Sequence, residues 1–267
     1  MRWAAGIRAG VLLLGLALGG GCATTDRGFW GQGIDWPDGH RLGQSALKAI
    51  SHPQTWVPLA GAAVIGVGGW DDDISDWAVR ERPLFGSNAE DVSDGLRTFN
   101  TAAWLASAFL TPSDSIGNRT KGLLVQGSAV VVENYSVNGL KSLIGRERPN
   151  GENEKSMPSG HTSRASVGAA LAATNLEYMD MPAWTRSTLQ MGLYGTAAAT
   201  GWARVEAEKH YPTDVLVGYA VGQFIGRFFQ EAFFNDRGGA SVHFAPAPGG
   251  GAVTLFMPLG RWEMADE

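Results

Sequence analysis

Three short clusters of polar residues stand out in the second half of this 267-residue chain. Together they supply three cations, two histidines and an aspartate, a set suited to breaking a phosphate ester. Two arginines and a lysine can neutralise a phosphoryl group, one histidine can attack phosphorus, and a second can protonate the leaving oxygen. This chemistry requires no metal and no organic cofactor. The clusters are Lys141 with Arg148-Pro149, Pro158-Ser159-Gly160-His161, and Arg204 with His210 and Asp214.

In chain order the clusters are K-x6-R-P, P-S-G-H and R-x5-H-x3-D, and this pattern resembles the type 2 phosphatidic acid phosphatase superfamily, which includes bacterial acid phosphatases and vanadium haloperoxidases. Three motifs in this order are far more specific than any one of them alone. The resemblance implies an all-α fold, a helical bundle of the acid phosphatase and vanadium haloperoxidase type. The chain departs from the family at Ala203, where a serine usually precedes the arginine, so one hydroxyl that could contact phosphate is missing.

The resemblance also implies a role for each polar residue. His210 is the expected nucleophile, and His161 is the expected general acid for the departing alkoxide and then the base for the water that releases a phosphohistidine. We expect Asp214, in the first turn of a helix that starts at Pro212, to accept the Nδ1 proton of His210 and leave Nε2 free to attack. The expected phosphate ligands are Lys141, Arg148, Ser159, Gly160 and Arg204.

Local spacing predicts how these groups are presented. Lys141 and Arg148 are seven residues apart, so we expect both on one face of a helix that ends at Pro149. A second helix is predicted to begin near Thr162, which directs backbone N–H groups and the positive end of the helix dipole at an anion. Arg146 lies off the predicted cationic face and is interpreted as structural.

The first 21 residues have the features of a secretory signal, since Arg2 and Arg8 precede an uncharged apolar run that reaches Leu18. Glycines then lead directly into Cys22, the only cysteine of the chain. This resembles a bacterial lipoprotein signal, in which Cys22 becomes the acylated first residue. We therefore expect a periplasmic protein of the bacterial cell envelope, anchored to the outer membrane as a lipoprotein.

Composition limits the partners and the class of protein. The net charge is −5, and −7 without the two arginines of residues 1–21, which argues against a nucleic-acid partner. Mean hydropathy is −0.07 and 18% of residues are charged, whereas a polytopic membrane enzyme is far more apolar. Residues 57–70 fall short of the roughly 20 apolar residues of a bilayer span and are interpreted as a buried core helix. The prediction is a water-soluble, tethered domain with no required protein partner.

The chain divides into four predicted parts. These are a signal peptide (1–21), a linker and N-terminal arm (22–53), a helical phosphatase domain (54–234) and a C-terminal tail (235–267). Apolar periodicity predicts helices at residues 42–50, 55–68, 75–79, 92–110, 121–143, 163–178, 183–200 and 212–234.

Two further patterns concern the tail and the helix contacts. Apolar segments at 241–245 and 252–257, around a Pro- and Gly-rich turn, predict a small β-hairpin in the tail. Glycines within the helical stretches, for example Gly168 and Gly201, predict a close approach of helix backbones. The three acids that begin at Asp71 are interpreted as first-turn charge of the next helix.

Other functions remain open at this point. A vanadate-dependent haloperoxidase would share the three cations, and a non-catalytic envelope protein could use them to bind anionic lipid. A serine hydrolase built on Ser159, His210 and Asp214 is disfavoured, because three cations suit a phosphoryl group better than an acyl oxyanion. The expected substrate is a phosphorylated lipid or a small phosphate ester. Lipid A, undecaprenyl diphosphate, phosphatidylglycerol phosphate and soluble esters all present the same phosphoryl group, and residues 84–96 are expected to help discriminate among them.

Overall fold

The computed structural model describes residues 28–234, 241–247 and 250–256. Eight α-helices occupy the first of these ranges, so the predicted all-α bundle is confirmed. The predicted signal peptide and Cys22 lie outside the described residues. The helices are α1 (Gly39–Ser51), α2 (Pro53–Gly68), α3 (Asp71–Glu81), α4 (Ala89–Leu110), α5 (Ile116–Ile144), α6 (Gly160–Asn175), α7 (Ala183–Glu206) and α8 (Pro212–Phe233), with 3-10 turns at Gly86–Asn88 and Leu176–Tyr178.

Helix α6 is the centre of the bundle, and α4, α5, α7 and α8 pack around it. From Thr162 to Asn175, every residue of α6 except Arg164 is buried. Many of these residues are alanines, which keep the helix narrow and allow its neighbours to lie close. Because α6 begins within the predicted P-S-G-H motif, the packing of this central helix fixes where that motif lies.

Glycines allow backbones to meet directly at several of these contacts. A Cβ atom on Gly168 would lie 2.8 Å from a backbone oxygen of α4, and one on Gly218 would lie 2.5 Å from the carbonyl oxygen of Ser159. A Cβ atom on Gly222 would overlap the carbonyl oxygen of Ser163. The predicted close approach of helix backbones is therefore confirmed, and it brings α8 against the first turns of α6.

Helix α5 ends earlier than the sequence suggested. Its last residue is Ile144, because Gly145 adopts a left-handed conformation with φ of 58° and closes the helix. Arg148 therefore lies in the loop that follows, and the prediction that it shares a helix ending at Pro149 with Lys141 is wrong. Arg148 nevertheless stays close enough to the end of α5 for its charge to act on Lys141. Its amide donates to the carbonyl of Asn153 at 3.0 Å and folds the loop.

Helix α2 lies on the surface, where it packs mainly on α8. Only Thr55 and Ala62 of this helix are buried, and Val67 is 92% exposed. The prediction of a buried core helix over residues 57–70 is therefore wrong, because the described part of the chain covers only one edge of this apolar helix. No helix within the described residues combines the length and the apolarity needed to cross a membrane.

The segments that flank the helices are also partly described. Trp30 is fully buried and its ring packs against Phe234 with centroids 5.8 Å apart, so part of the predicted N-terminal arm packs onto the helical domain. Beyond Phe234, strand β1 (Ser241–Ala247) runs antiparallel to strand β2 (Gly250–Phe256), with Ser241 opposite Phe256.

Candidate active site

All three predicted clusters meet at one end of the bundle. Lys141 lies in the last turn of α5 and Arg204 in the last turn of α7, while Gly160 is the first residue of α6. His210 lies two residues before α8 begins, in the short connection from α7. The charges of Arg204 and Lys141 both act on His210, so these groups share one electrostatic environment. The predicted site residues are therefore brought together.

Three cations, Lys141, Arg148 and Arg204, form a cationic cradle at the N-terminus of α6. A Cβ atom on Gly160 would lie 3.6 Å from Lys141 Nζ, so the ammonium faces the start of this helix. Burial, and then the positive charges of Arg148 and Arg204, lower the pKa of Lys141 to about 8. Burial also lowers the pKa of Arg204. Positive charges crowded into a partly buried space are stabilised when an anion binds between them.

His210 is almost fully buried behind this cradle, with 1% of its surface exposed. Its Nδ1 lies 2.6 Å from the carbonyl oxygen of Ser156, and since a carbonyl can only accept, Nδ1 is the protonated nitrogen. The Oδ2 atom of Asp214 is 3.8 Å from Nδ1, so the expected direct His210–Asp214 hydrogen bond is wrong. The tautomer is nevertheless the one expected, with Nε2 unprotonated. Burial above all, and then Arg204 and Lys141, lower the pKa of His210 to about 4 against the opposing effect of Asp214.

Asp214 supports His210 through Ser156. The Ser156 hydroxyl donates to Asp214 Oδ2 at 2.5 Å, and the Tyr211 amide donates to the same oxygen at 2.9 Å. Burial alone would raise the pKa of Asp214, but the nearby imidazole of His210, the hydrogen bonds from Ser156 and Tyr211 and the positive charge of Arg146 outweigh it and hold the pKa below its ordinary value. Asp214 therefore stays ionised and fixes the residue whose backbone oxygen orients the histidine.

Arg146, which the sequence suggested was merely structural, completes this network. Its Nη1 donates to Asp214 Oδ1 and to Thr213 Oγ1, both at 2.8 Å, and its Nη2 donates to Asp71 Oδ2 at 2.8 Å. The guanidinium also lies over the ring of Tyr211, 4.0 Å from the centroid. Asp71 in turn accepts from the Thr213 amide at 2.9 Å, so its role extends beyond first-turn charge. Sequence reasoning missed this link between α3 and the start of α8.

His161 has a partner that sequence reasoning did not find. Its Nε2 lies 2.8 Å from Asp94 Oδ1, on the facing helix α4. Burial and the positive charge of Arg204 lower the pKa of His161, while the hydrogen bond to Asp94 acts in the opposite direction. Asp94 therefore favours an imidazolium that could donate a proton from Nδ1.

The remaining two predicted phosphate ligands form the first turn of α6. Ser159 is the N-cap residue, and its buried hydroxyl accepts a hydrogen bond from Thr162 Oγ1 at 2.9 Å. At position 203 the chain has alanine in place of the family's serine, but another serine hydroxyl lies close to Arg204. Arg204 Nη1 is 3.3 Å from the Oγ of buried Ser93 in α4. A serine next to Arg204 is thus present, although it comes from another helix.

Carboxylates border the cradle as well. Glu152 Oε1 lies 2.6 Å from Lys209 Nζ, and Glu152 Oε2 lies 3.4 Å from Arg148 Nη1. Glu90 Oε1 is 3.8 Å from Lys209 Nζ and 3.9 Å from Arg204 Nη1. These acids are not grouped as metal ligands would be, since no three His, Cys, Asp or Glu side chains within the described residues could hold one ion.

Known proteins share both the sequence segment and the fold. A family model described as the PAP2 superfamily matches residues 122–237, which include all three motifs. A lipid A 1-phosphatase of Porphyromonas gingivalis is 36% identical over 106 residues, which make up 39% of this chain. The match covers 22% of that relative, so the chain spans about a fifth of its length.

The fold is shared with a solved structure. The transmembrane PAP2-type phosphatidylglycerolphosphate phosphatase from Bacillus subtilis superposes with a TM-score of 0.52 at 22% identity. The superposition covers 70% of this chain and 94% of that structure, so the likeness extends over most of the bundle. Residues 122–237 thus match the PAP2 superfamily model, and the chain shares its fold with a PAP2-type phosphatase.

Proposed function

We propose that this chain is a metal-independent phosphatase that hydrolyses a phosphomonoester or diphosphate through a phosphohistidine on His210. The observation that carries the proposal is the placement of a buried, neutral imidazole behind the cradle of Lys141, Arg148 and Arg204. Such a cradle neutralises the phosphoryl oxygens, while a histidine with a pKa of about 4 is an unprotonated nucleophile at neutral pH.

In the proposed reaction, His210 Nε2 attacks phosphorus and the bond from phosphorus to the leaving oxygen breaks. His161 gives a proton to that oxygen, and then removes a proton from the water that attacks the phosphohistidine. Inorganic phosphate leaves and His210 returns to its starting state. The carbonyl of Ser156 keeps Nδ1 protonated throughout, so that Nε2 has a free lone pair before the attack and regains it when phosphate leaves.

The proposed substrate is a phosphorylated membrane lipid. The lipid A 1-phosphatase relative supports this class, and so does the expected lipid anchor at Cys22, since tethering raises the local concentration of membrane head groups. We accordingly propose the bacterial cell envelope as its location, with the domain in the periplasm and the anchor in the outer membrane. A soluble phosphate ester is the alternative substrate that the same cradle could accept.

The proposal is tested with the purified full chain in detergent, by phosphate release from lipid phosphates with and without EDTA. We expect activity that EDTA does not change, and a loss of at least about 1,000-fold in His210→Ala, as is typical for a removed nucleophile. Rapid quenching with a phosphorus-labelled substrate should trap an acid-labile phosphoenzyme that the variant does not form.

A matched control is His40→Ala, because His40 lies exposed in α1 and away from the cradle. This variant should retain the activity of the original protein. Turnover that survives His210→Ala, or that EDTA abolishes and added metal restores, would overturn the proposed mechanism.

A further inference from the structure

A groove of about 580 Å³ opens beside the cradle, between helices α4 and α5. It begins at Lys141, Gly160 and His161, and it continues along the facing sides of both helices. His161, the proposed proton donor to the leaving oxygen, lines the groove, whereas the buried His210 is not among its lining residues. The groove therefore adjoins the leaving-group side of the proposed reaction.

Two arginines line this groove at the same level because α4 and α6 run parallel. Asp94 contacts His161, and further along the same pair of helices Asn100 contacts Gly168. One helical turn beyond the Asp94–His161 pair, Arg97 on α4 and Arg164 on α6 both line the groove. The two guanidinium groups thus flank the space next to the proton donor.

Each arginine is oriented by a carboxylate and keeps further donors. Arg164 Nε lies 2.9 Å from Oε2 of the buried Glu133, and Arg97 Nη2 donates to Asp94 Oδ1 at 3.2 Å. A guanidinium has five N–H donors, so each of these contacts engages only part of the group. The charge of Arg97 also acts on both His161 and Arg204, which places it within electrostatic reach of the cradle.

The rest of the groove wall is mixed, with apolar Ala102, Leu105 and Val137 beside several polar side chains. Thr98 and Thr101 on α4 and Asn134 and Asn138 on α5 line it together with the two arginines. The two threonine hydroxyls donate to backbone carbonyls of α4, and the Asn138 amide donates to Asn134. An acyl chain placed there would still remove water from the guanidinium donors that have no partner among the described residues, which costs free energy. An apolar cavity of about 570 Å³ lies elsewhere, between α2, α7 and α8, so the groove is distinct in its chemistry.

We propose that Arg97 and Arg164 form a second anion-binding subsite, which holds an anionic group carried by the leaving part of the substrate. The substrate class is a diphosphate, or a phosphomonoester whose alcohol carries another phosphate. In the first case the bond between phosphorus and the bridging oxygen breaks, and the leaving group is a phosphate monoester protonated by His161. This inference rests on the proposed phosphatase function and narrows its substrate.

The test compares three substrates on the full chain: a prenyl diphosphate, the matching prenyl monophosphate, and glycerol 1,3-bisphosphate. We expect Arg97→Gln and Arg164→Gln to lower kcat/KM at least about 10-fold for a substrate with a second phosphate, and less than about 3-fold for the monophosphate. Selective loss on the diphosphate places the second anion on the leaving oxygen, whereas selective loss on the bisphosphate places it across a linker.

Three controls keep the outcomes separate. Arg97→Lys retains the charge and should keep at least half of the preference in kcat/KM for substrates with a second phosphate. Arg80→Gln, on the exposed face of α3, should change none of the three rates. An equal loss on all three substrates, or no loss on any, would overturn the subsite. His210→Ala should remove turnover of every substrate, and if it does not, the proposed function fails independently of the arginines.

Discussion

Arg146 Nη1 and Asp214 Oδ1 lie 2.8 Å apart, which ties the loop after α5 to the carboxylate that supports His210. The same arginine contacts Asp71 at the start of α3, so one side chain connects three separate segments. Because the network ends at the Ser156 carbonyl that orients His210, we interpret Arg146 as a positioning residue for the proposed nucleophile.

Replacement of Arg146 by Met should therefore lower kcat about 10- to 100-fold, with a smaller effect on KM. It should also move the acidic limb of the kcat/KM profile to higher pH, since an uncompensated Asp214 carboxylate favours the protonated form of His210. Rates measured from pH 4 to pH 9 would test this, with Arg80→Met as the control. A lower rate without any shift of the limb would indicate a purely structural role.

Lys141 should give the proposed enzyme an alkaline limb. Its pKa of about 8 means that the free protein loses one cradle charge as the pH rises through that value. We expect kcat/KM to fall above about pH 8, and Lys141→Arg, whose guanidinium stays charged, should move this limb upward. A limb that stays in place in the Lys141→Arg variant would show that another group controls it.

The buried His210 should make the fold sensitive to mild acid. Its pKa is about 4 in the folded protein and about 6.5 when unfolded, so between these values the unfolded chain binds the extra proton. Stability therefore falls as the pH drops from 6.5 to 4, by up to about 3 kcal/mol from this residue. Urea unfolding at pH 7, 5.5 and 4.5 measures the effect.

The comparison for this prediction is His210→Asn, which cannot titrate in that range. Its stability should fall less steeply over the same interval. The stability of this variant should still depend on pH to some extent, because burial and Arg227 also lower the pKa of His52 to about 4. Identical slopes for the original chain and the variant would contradict a buried neutral His210.

Glu152 should compete with phosphate for Arg148 of the cradle. Its carboxylate forms ion pairs with Lys209 and Arg148, so it neutralises positive charge that would otherwise be available to a phosphoryl group. Glu152→Gln should lower the inhibition constant of inorganic phosphate about 3- to 10-fold, measured by competition at fixed substrate. Glu154→Gln, in the same loop, is the matched control and should leave the inhibition constant unchanged.

The sequence predicted which residues meet but not how they are held. Three motifs of known order were enough to indicate the cradle and His210, because those residues act through their own side chains. The oxygen that orients His210 is instead the backbone carbonyl of Ser156, and a carbonyl carries no signature of residue type. Only the folded loop brings it within 2.6 Å of the imidazole.

Long-range partners were missed for a related reason. Asp94 is 67 residues from His161, and Asp71 is 75 residues from Arg146, so no local spacing connects them. The early end of α5 was different, since Gly145 is a recognisable helix-stop signal that the K-x6-R-P spacing obscured. The packing of α3 and α4 on the bundle determines the Asp71–Arg146 and Asp94–His161 contacts, whereas Gly145 alone determines where α5 ends.

The direct backbone contact between Gly218 and Ser159 has a consequence for how the sequence of such a protein can evolve. The turn that would receive phosphate rests directly on the backbone of α8, just beyond the proposed nucleophile, with no side chain between them to be exchanged. The position of the proposed phosphate-binding turn is thus set by two backbones, whereas the groove proposed to select the substrate is lined by side chains of α4, α5 and α6. Substrate preference can therefore diverge by ordinary substitution while the reacting distance stays constant.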